Sequence, residues 1–142
     1  MSLHATNPEA VLRLQQSLVG KPRPCVLLIE DSTNDSELQA ITITKLGMLP
    51  LCVRTVAEAW EALRLTAVDM ILLDLALPGG DSAQMIRDLK TRKPNVPIVV
   101  LTGMVANSPF MERAVESGAD IIYIKPLTLE ELSALTGIPI PP

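Results

Sequence analysis

Short apolar runs, each followed by turn-forming residues, recur along most of this chain. The runs at residues 25–29 and 70–73 are rich in Leu, Ile and Val, and acidic residues follow each directly. Such uninterrupted apolar runs are typical of strands that are buried on both faces of a parallel sheet. Similar runs occupy residues 49–53, 97–101 and 121–124. The pattern therefore predicts five strands.

Stretches with helix-capping residues separate these runs. Helices are predicted over residues 35–46, 56–65, 82–92 and 109–117, the third after a turn at residues 78–80 and a cap at Asp81 or Ser82. Ser108 and Pro109 begin the fourth helix, and a capping box at Thr128 begins a short fifth one. Strands and helices alternate strictly, which predicts an α/β fold with a doubly wound parallel sheet. For its five strands we expect the order 2-1-3-4-5.

The chain divides into three parts. Residues 1–23 are an N-terminal extension in which residues 8–19 suit a short amphipathic helix, with Asn7 as cap and Pro8 at its first position. Gly and Pro residues between 20 and 24 break that helix and form a linker. The domain proper covers residues 24–136, and residues 137–142 are a Pro-rich tail. Whether the extension is a partner-binding helix or disordered is open at this point.

Composition narrows the function classes. The 142 residues carry a net charge of −4, which argues against a nucleic-acid-binding surface on this domain. No apolar stretch has the length of a membrane span, so we expect a cytoplasmic protein without a membrane partner. Cys25 and Cys52 both fall in predicted strands and are expected to be small buried hydrophobic residues. With 2% aromatic residues, the core must be built from aliphatic side chains.

Reactive side chains follow the predicted strands at one end. Glu30 and Asp31 follow the first strand, Asp74 the third, Thr102 ends the fourth and Lys125 follows the fifth. Ligands of doubly wound sheets bind at the carboxyl ends of the strands, where the strand order reverses. Clustered carboxylates repel each other unless a cation lies among them. The sequence therefore predicts a phosphoryl-transfer site with a metal ion.

With these residues the chain resembles the receiver domain of two-component response regulators. The matching segments are residues 30–31, 74–79, 101–103 and 125–126, in order and at the expected separations. The resemblance implies a flavodoxin-like fold and a phosphorelay signal-transduction role, in which a histidine kinase or phosphotransfer protein supplies the phosphoryl group and a downstream protein is switched. It implies no enzyme activity beyond self-phosphorylation and dephosphorylation.

The resemblance also implies roles for individual residues. Asp74 is the expected phosphoacceptor. Mg²⁺ is the expected cofactor, with Asp31, Asp74 and the backbone carbonyl of Ala76 as ligands and Glu30 acting through a water molecule. Thr102 and Lys125 are expected to contact the phosphoryl group. The peptide bond from Lys125 to Pro126 is expected to be cis.

Departures from the family pattern leave alternatives open. Ile122 occupies the position where an aromatic switch residue is usual, and Tyr123 lies on the opposite face of its strand. The short last helix also alters the usual output surface. A degenerate receiver that binds a partner without phosphorylation is therefore the second hypothesis. A phosphatase with an Asp nucleophile would need a second acid where Ala76 stands. Taken singly, Asp74 could cap a turn and Asp31 a helix.

Overall fold

The computed structural model describes residues 3–77, 82–103 and 109–142, and at residues 3–6, 110 and 111 it describes the backbone alone. The predicted turn at 78–80, Asp81 and Ser108 lie outside this range. In chain order the elements are β1 (Leu3–Thr6), α1 (Pro8–Leu18), β2 (Cys25–Ile29), α2 (Thr33–Lys45), β3 (Leu49–Val53), α3 (Val56–Leu65), β4 (Met70–Asp74), α4 (Ser82–Arg92), β5 (Ile98–Thr102), α5 (Pro109–Glu116), β6 (Ile121–Ile124) and α6 (Leu129–Thr136).

The sheet has the predicted topology with one addition. Strands β3, β2, β4, β5 and β6 lie side by side in that order and are parallel, which confirms the order 2-1-3-4-5. A sixth strand, β1, pairs antiparallel with the outer edge of β6. The sequence did not predict β1, because a four-residue strand at a sheet edge has too short a pattern to recognise.

Among the residues that the structure describes, three helices cover each face of the sheet. Side chains alternate across the strands, so that Val26 and Leu28 pack with α1, α2 and α6, while Leu27 and Ile29 pack with α3, α4 and α5. Both β2 and β4 are buried along their full length, as expected of central strands. None of the helices in the described part of the chain is long and apolar enough to cross a bilayer.

The capping residues explain most helix boundaries. The side chains of Asn7, Ser32, Thr55 and Thr128 accept hydrogen bonds from the first turns of α1, α2, α3 and α6, respectively. Helix α2 begins two residues earlier than predicted because Ser32 Oγ accepts from the N–H of Asp35. Gly137 ends α6 with a φ of 77°, in the left-handed region that favours glycine.

The N-terminal segment packs on the last helix. Ala10, Leu14 and Leu18 of α1 are buried and join the same cluster as residues of α6. Gln15 adds a polar contact, since its Nε2 donates to the carbonyl oxygens of Ala134 and Leu135 at 3.2 and 3.4 Å. These carbonyls lie in the last turn of α6, where backbone acceptors lack helical partners. In this structure α1 is therefore part of the folded body.

One expectation about the cysteines is wrong. Cys25 in the central strand β2 is buried, but Cys52 is exposed. The reason is that β3 is the edge strand of the sheet, so its outer side and part of its face meet solvent. A run of five residues does not by itself show whether a strand is central or at the edge.

Asp69 links the linker to the start of two strands. Its carboxylate accepts hydrogen bonds from the Lys21 ammonium and, at 2.8 Å, from the N–H of Cys25. Burial alone would raise the pKa of Asp69, but the bonds from Lys21 and Cys25 outweigh burial and hold the pKa below its usual value. The ionised form is therefore favoured in the folded state.

We expect Asp69→Asn to destabilise the protein more at neutral pH than in acid. A depressed folded-state pKa contributes stability above the unfolded-state pKa, and this contribution is lost as the pH falls through the folded-state value. Urea unfolding at pH 7 should show a loss of about 1–2 kcal/mol, and at about pH 3 the loss should be clearly smaller, because the Asp69 carboxyl of the unfolded chain is then mostly protonated. The control is Asp120→Asn, which removes a more exposed ion pair with Lys90 and should cost below about 1 kcal/mol. A loss of the same size at both pH values would contradict the assignment.

Candidate functional site

Four of the predicted site residues meet at the carboxyl edge of the sheet. Glu30 follows β2, Asp74 ends β4, Thr102 ends β5 and Lys125 follows β6. Ile29 pairs with Leu73, so Glu30 and Asp74 extend from neighbouring strands at the same height. Glu30, Asp74 and Thr102 are 3%, 4% and 1% exposed, respectively. The site is thus a buried acidic pair at the point where the strand order reverses.

Lys125 brings one positive charge to this pair. Its Nζ lies 2.9 Å from Glu30 Oε1, 3.1 Å from Asp35 Oδ2 and 3.4 Å from Asp74 Oδ2. The lysine backbone is held as well, since its N–H donates to the carbonyl oxygen of Thr102 at 2.9 Å. The peptide bond between Lys125 and Pro126 is cis, which is the isomer that the resemblance implies.

The electrostatics of the pair follow from burial and crowding. Burial raises the pKa of Glu30, and a hydrogen bond with the Asp74 carboxyl raises it further, against the opposing effects of Lys125 and the Ser32 N–H. For Lys125, burial alone would lower the pKa, but hydrogen bonds to Glu30 and Asp35 and the charge of Asp74 outweigh burial and raise it. The lysine is therefore charged, and Glu30 and Asp74 both contact its ammonium.

Asp74 makes two contacts with described residues that follow it in the chain. Asp74 Oδ1 accepts from the N–H of Ala76 at 3.2 Å, and Ser82 Oγ donates to the backbone carbonyl of Asp74 at 3.1 Å. One oxygen of Asp74, Oδ1, thus makes a capping contact at the start of the turn, as the turn-capping interpretation predicts. The other oxygen, Oδ2, faces Lys125. Ser32, and not Asp31, caps α2, so the half-buried Asp31 carboxylate has no capping role there.

The donor atoms suit a hard cation. Glu30 and Asp74 provide carboxylate oxygens on either side of Lys125 Nζ, at 2.9 and 3.4 Å, and a cation would relieve the repulsion between them. Over residues 3–77, 82–103 and 109–142, no group of three or more His, Cys, Asp or Glu side chains is arranged as a metal cage. Mg²⁺ is compatible with such a sparse set, because it usually keeps several of its waters and binds one or two carboxylates.

Ile122 and Tyr123 lie as strand alternation predicts. Ile122 is fully buried and packs with the helices α3–α5, whereas Tyr123 packs partly against the cluster on the other face. Ile122 of β6 pairs with Val100 of β5. Thr102 lies two residues beyond Val100 on β5, so the side chains of Val100 and Thr102 are on the same face of the sheet. Ile122 is thus placed beneath Thr102, with its side chain enclosed by the core.

Two contacts of Lys125 and its loop were not predicted from the sequence. The sequence pattern gave Asp35 no role at the site, yet its carboxylate reaches Lys125. Gln39 is buried and hydrogen-bonds the backbone of Leu127. A signal for Gln39 was present, since it lies at helical spacing with the buried Ile43 and Leu46 and is the polar member of that stripe.

Comparison with known families agrees with the fold. Residues 26–136 match the family model of the response regulator receiver domain. This match covers most of the chain, and the site residues lie within it. The chain therefore belongs to the receiver domain family of two-component response regulators.

Relatives of known name support the same family. The swarming motility regulation protein RssB of Serratia marcescens is 31% identical over 107 residues, covering 75% of this chain and 48% of RssB. The phosphate regulon transcriptional regulatory protein PhoB of Escherichia coli is 32% identical over 111 residues, which is 77% of this chain and 48% of PhoB. The chain thus spans about half the length of these relatives.

Solved structures share the fold. A response regulator from Thermotoga maritima has a TM-score of 0.70 at 22% identity, covering 81% of this chain and 98% of that one. A response regulator from Burkholderia pseudomallei, solved with a phosphorylated aspartic acid, a calcium ion and citrate, has a TM-score of 0.69 at 26% identity. That match covers 79% of this chain and 66% of that one.

Proposed function

We propose that this receiver domain accepts a phosphoryl group on Asp74 with the help of Mg²⁺. The observation that carries the proposal is the convergence of Glu30, Asp74 and Lys125 within hydrogen-bonding distance at the carboxyl edge of the sheet. A buried acidic pair with one lysine is costly for a purely structural purpose. It suits a reaction that brings a further anion to the same place.

In the proposed reaction a carboxylate oxygen of Asp74 attacks the phosphorus atom of the donor. The new bond joins that oxygen to phosphorus, the bond to the donor breaks, and the leaving group takes the electron pair. Before the reaction the Lys125 ammonium contacts the carboxylates of Glu30, Asp35 and Asp74. From this position it can contact an oxygen of the phosphoryl group on Asp74. Thr102, at the end of β5 and next to this edge, is the proposed second contact.

Bound Mg²⁺ would neutralise the carboxylates and the incoming phosphoryl oxygens. Asp31 and Asp74 are the proposed carboxylate ligands, with the backbone carbonyl of Ala76 beside them and Glu30 acting through water. What supports a cation at this edge is that Glu30 Oε1 and Asp74 Oδ2 lie 2.9 and 3.4 Å from the same lysine nitrogen, so that a cation would relieve the repulsion between these carboxylates.

Similar proteins support the phosphoryl chemistry. The response regulator from Burkholderia pseudomallei carries a phosphorylated aspartic acid and a calcium ion. We propose the same acceptor chemistry here, with a histidine kinase or phosphotransfer protein as donor, a downstream protein as receiver of the signal, and the cytoplasm as location. Catalysis is limited to the domain's own phosphorylation and dephosphorylation. The alternative of a degenerate receiver is disfavoured, because Glu30 and Asp74 both lie in contact with Lys125 at the carboxyl edge of the sheet.

The test is incubation with a small-molecule phosphodonor and Mg²⁺, followed by intact mass and peptide mapping. We expect one phosphoryl adduct, located on Asp74, and none when a chelator replaces Mg²⁺. A protein that binds Mg²⁺ but forms no adduct would support the degenerate receiver instead. An adduct that forms equally well in chelator would contradict the role of the metal.

A further inference from the structure

Gln39 is a buried polar side chain on the apolar stripe of α2. It is 4% exposed and lies one turn before the fully buried Ile43. Burying a carboxamide is unfavourable unless its donor and acceptor are both satisfied. An apolar residue would serve helix packing at this position, so the amide needs a separate explanation.

Both ends of the carboxamide bind the same residue. Gln39 Nε2 donates to the carbonyl oxygen of Leu127 at 2.9 Å, and the N–H of Leu127 donates to Gln39 Oε1 at 3.0 Å. Leu127 lies in the segment between β6 and α6, outside regular structure. The two bonds therefore give this segment the pairing that a neighbouring strand would otherwise supply.

The held segment is the one that carries Lys125. On its N-terminal side, the Lys125 N–H is bonded to the carbonyl oxygen of Thr102 at 2.9 Å. On its C-terminal side, two residues further, Gln39 holds Leu127. One turn earlier on α2, Asp35 contacts the ammonium of Lys125 at 3.1 Å. Consecutive turns of α2 thus hold both the backbone and the charged end of the lysine segment.

We propose that Gln39 is a positioning residue for the phosphoryl site, acting through Leu127 to hold the Lys125 ammonium between Glu30 and Asp74. Gln39 touches neither reacting atoms nor their ligands. Its effect is to reduce the range of positions open to the ammonium before a phosphoryl group arrives, so that less ordering is needed during the reaction. The catalytic consequence rests on the function proposed above, but the positioning of Lys125 does not.

The first test measures Lys125 without any phosphodonor. Trace labelling with acetic anhydride, read by peptide mass relative to the exposed Lys45, reports how well the Lys125 amine is held. We expect labelling of Lys125 to rise about fivefold in Gln39→Met, which keeps the size but loses both hydrogen bonds. Gln39→Leu is the second variant if Gln39→Met does not fold.

The matched control is Thr136→Val. Thr136 is also buried, and its hydroxyl donates to the carbonyl oxygen of Leu132 at 2.8 Å and accepts from the N–H of Ile138 at 3.2 Å. The variant loses buried hydrogen bonds at the far end of α6 and should lower the melting temperature without changing the labelling of Lys125. Unchanged labelling in the Gln39 variants, or an equal rise in Thr136→Val, would overturn the proposal.

The second test is a double-mutant cycle on the rate of adduct formation. Gln39→Met should slow phosphorylation about fivefold in the wild-type background and have no effect in a Lys125→Met background. Equal slowing in both backgrounds, or none in the first, would overturn the proposal. If the wild type forms no adduct while the labelling result holds, the phosphoryl function fails and the positioning of Lys125 stands.

Discussion

Asp74→Asn is expected to form no phosphoryl adduct and, at the same time, to unfold at a higher urea concentration than the wild type. The adduct should be lost because the uncharged amide oxygen of the new Asn side chain is a poor nucleophile toward phosphorus. The measurement is intact mass after incubation with phosphodonor and Mg²⁺. The outcome to expect is complete loss, not a reduced rate.

The gain in stability has an electrostatic reason. In the folded state Asp74 lies beside the buried Glu30, whose raised pKa reflects burial and the neighbouring carboxyl. The Asp74→Asn substitution removes one of these charges, and the new amide oxygen can still accept from the N–H of Ala76. Lys125 loses its 3.4 Å contact with Asp74 but keeps the shorter ones to Glu30 and Asp35. Relief of repulsion should therefore win, by about 1–2 kcal/mol in metal-free buffer.

Mg²⁺ provides an internal check on this interpretation. A metal that binds only the folded wild type adds stability according to its concentration, so added Mg²⁺ should reduce the difference between wild type and Asp74→Asn. Asp88→Asn, which removes a charge from α4 away from the site, is the control and should keep the adduct. An Asp74→Asn protein that still gains a phosphoryl group, or that is less stable than wild type without metal, would refute the assignment.

The second large effect concerns the N-terminal helix. Leu14→Ala should destabilise the whole domain by about 2–5 kcal/mol, because Leu14 is 0% exposed and its removal leaves a cavity between α1 and α6. Leu12→Ala is a matched control on the same helix, since Leu12 is 54% exposed and should change stability by less than about 0.5 kcal/mol. Urea unfolding followed by circular dichroism measures both.

A single transition should be seen for both variants if α1 belongs to the same cooperative unit as the sheet. Equal, small effects of the two substitutions would show that α1 detaches without cost and that residues 1–23 behave as a separate extension. A large effect of Leu14→Ala alone would make α1 an integral part of this receiver domain.

Prediction from the sequence was most successful where one local pattern has one structural solution. Strand β2 is an uninterrupted apolar run, and the alternation of strands with helices implied a parallel sheet. The capping box of Thr128 and the turn residue Gly137 marked both ends of α6. The strand-end positions of Glu30, Asp74 and Lys125 could be predicted for the same reason, since parallel strands carry their carboxyl ends to one edge.

Prediction was least successful where a residue's role depends on which element lies beside it. Cys52 has the same apolar context as Cys25, but β3 lies at the sheet edge and leaves it exposed. Strand β1 is too short to have a pattern of its own and exists through its pairing with β6. Asp35 and Gln39 belong to an ordinary helix, and only the fold brings them to the lysine loop.

The sequence by itself thus determined the fold class and the presence of an acidic site with a lysine, because both depend on local patterns, whereas more than one strand order is compatible with the same alternation. Only the tertiary structure decided how Lys125 is held: by Glu30 and Asp74 from the strands, and by Asp35 and, through Leu127, Gln39 from α2. The physical reason is distance along the chain. Local periodicity can mark Gln39 as a buried polar residue but cannot identify its partner, because hydrogen bonds between residues 88 positions apart exist only once the helix has packed on the sheet.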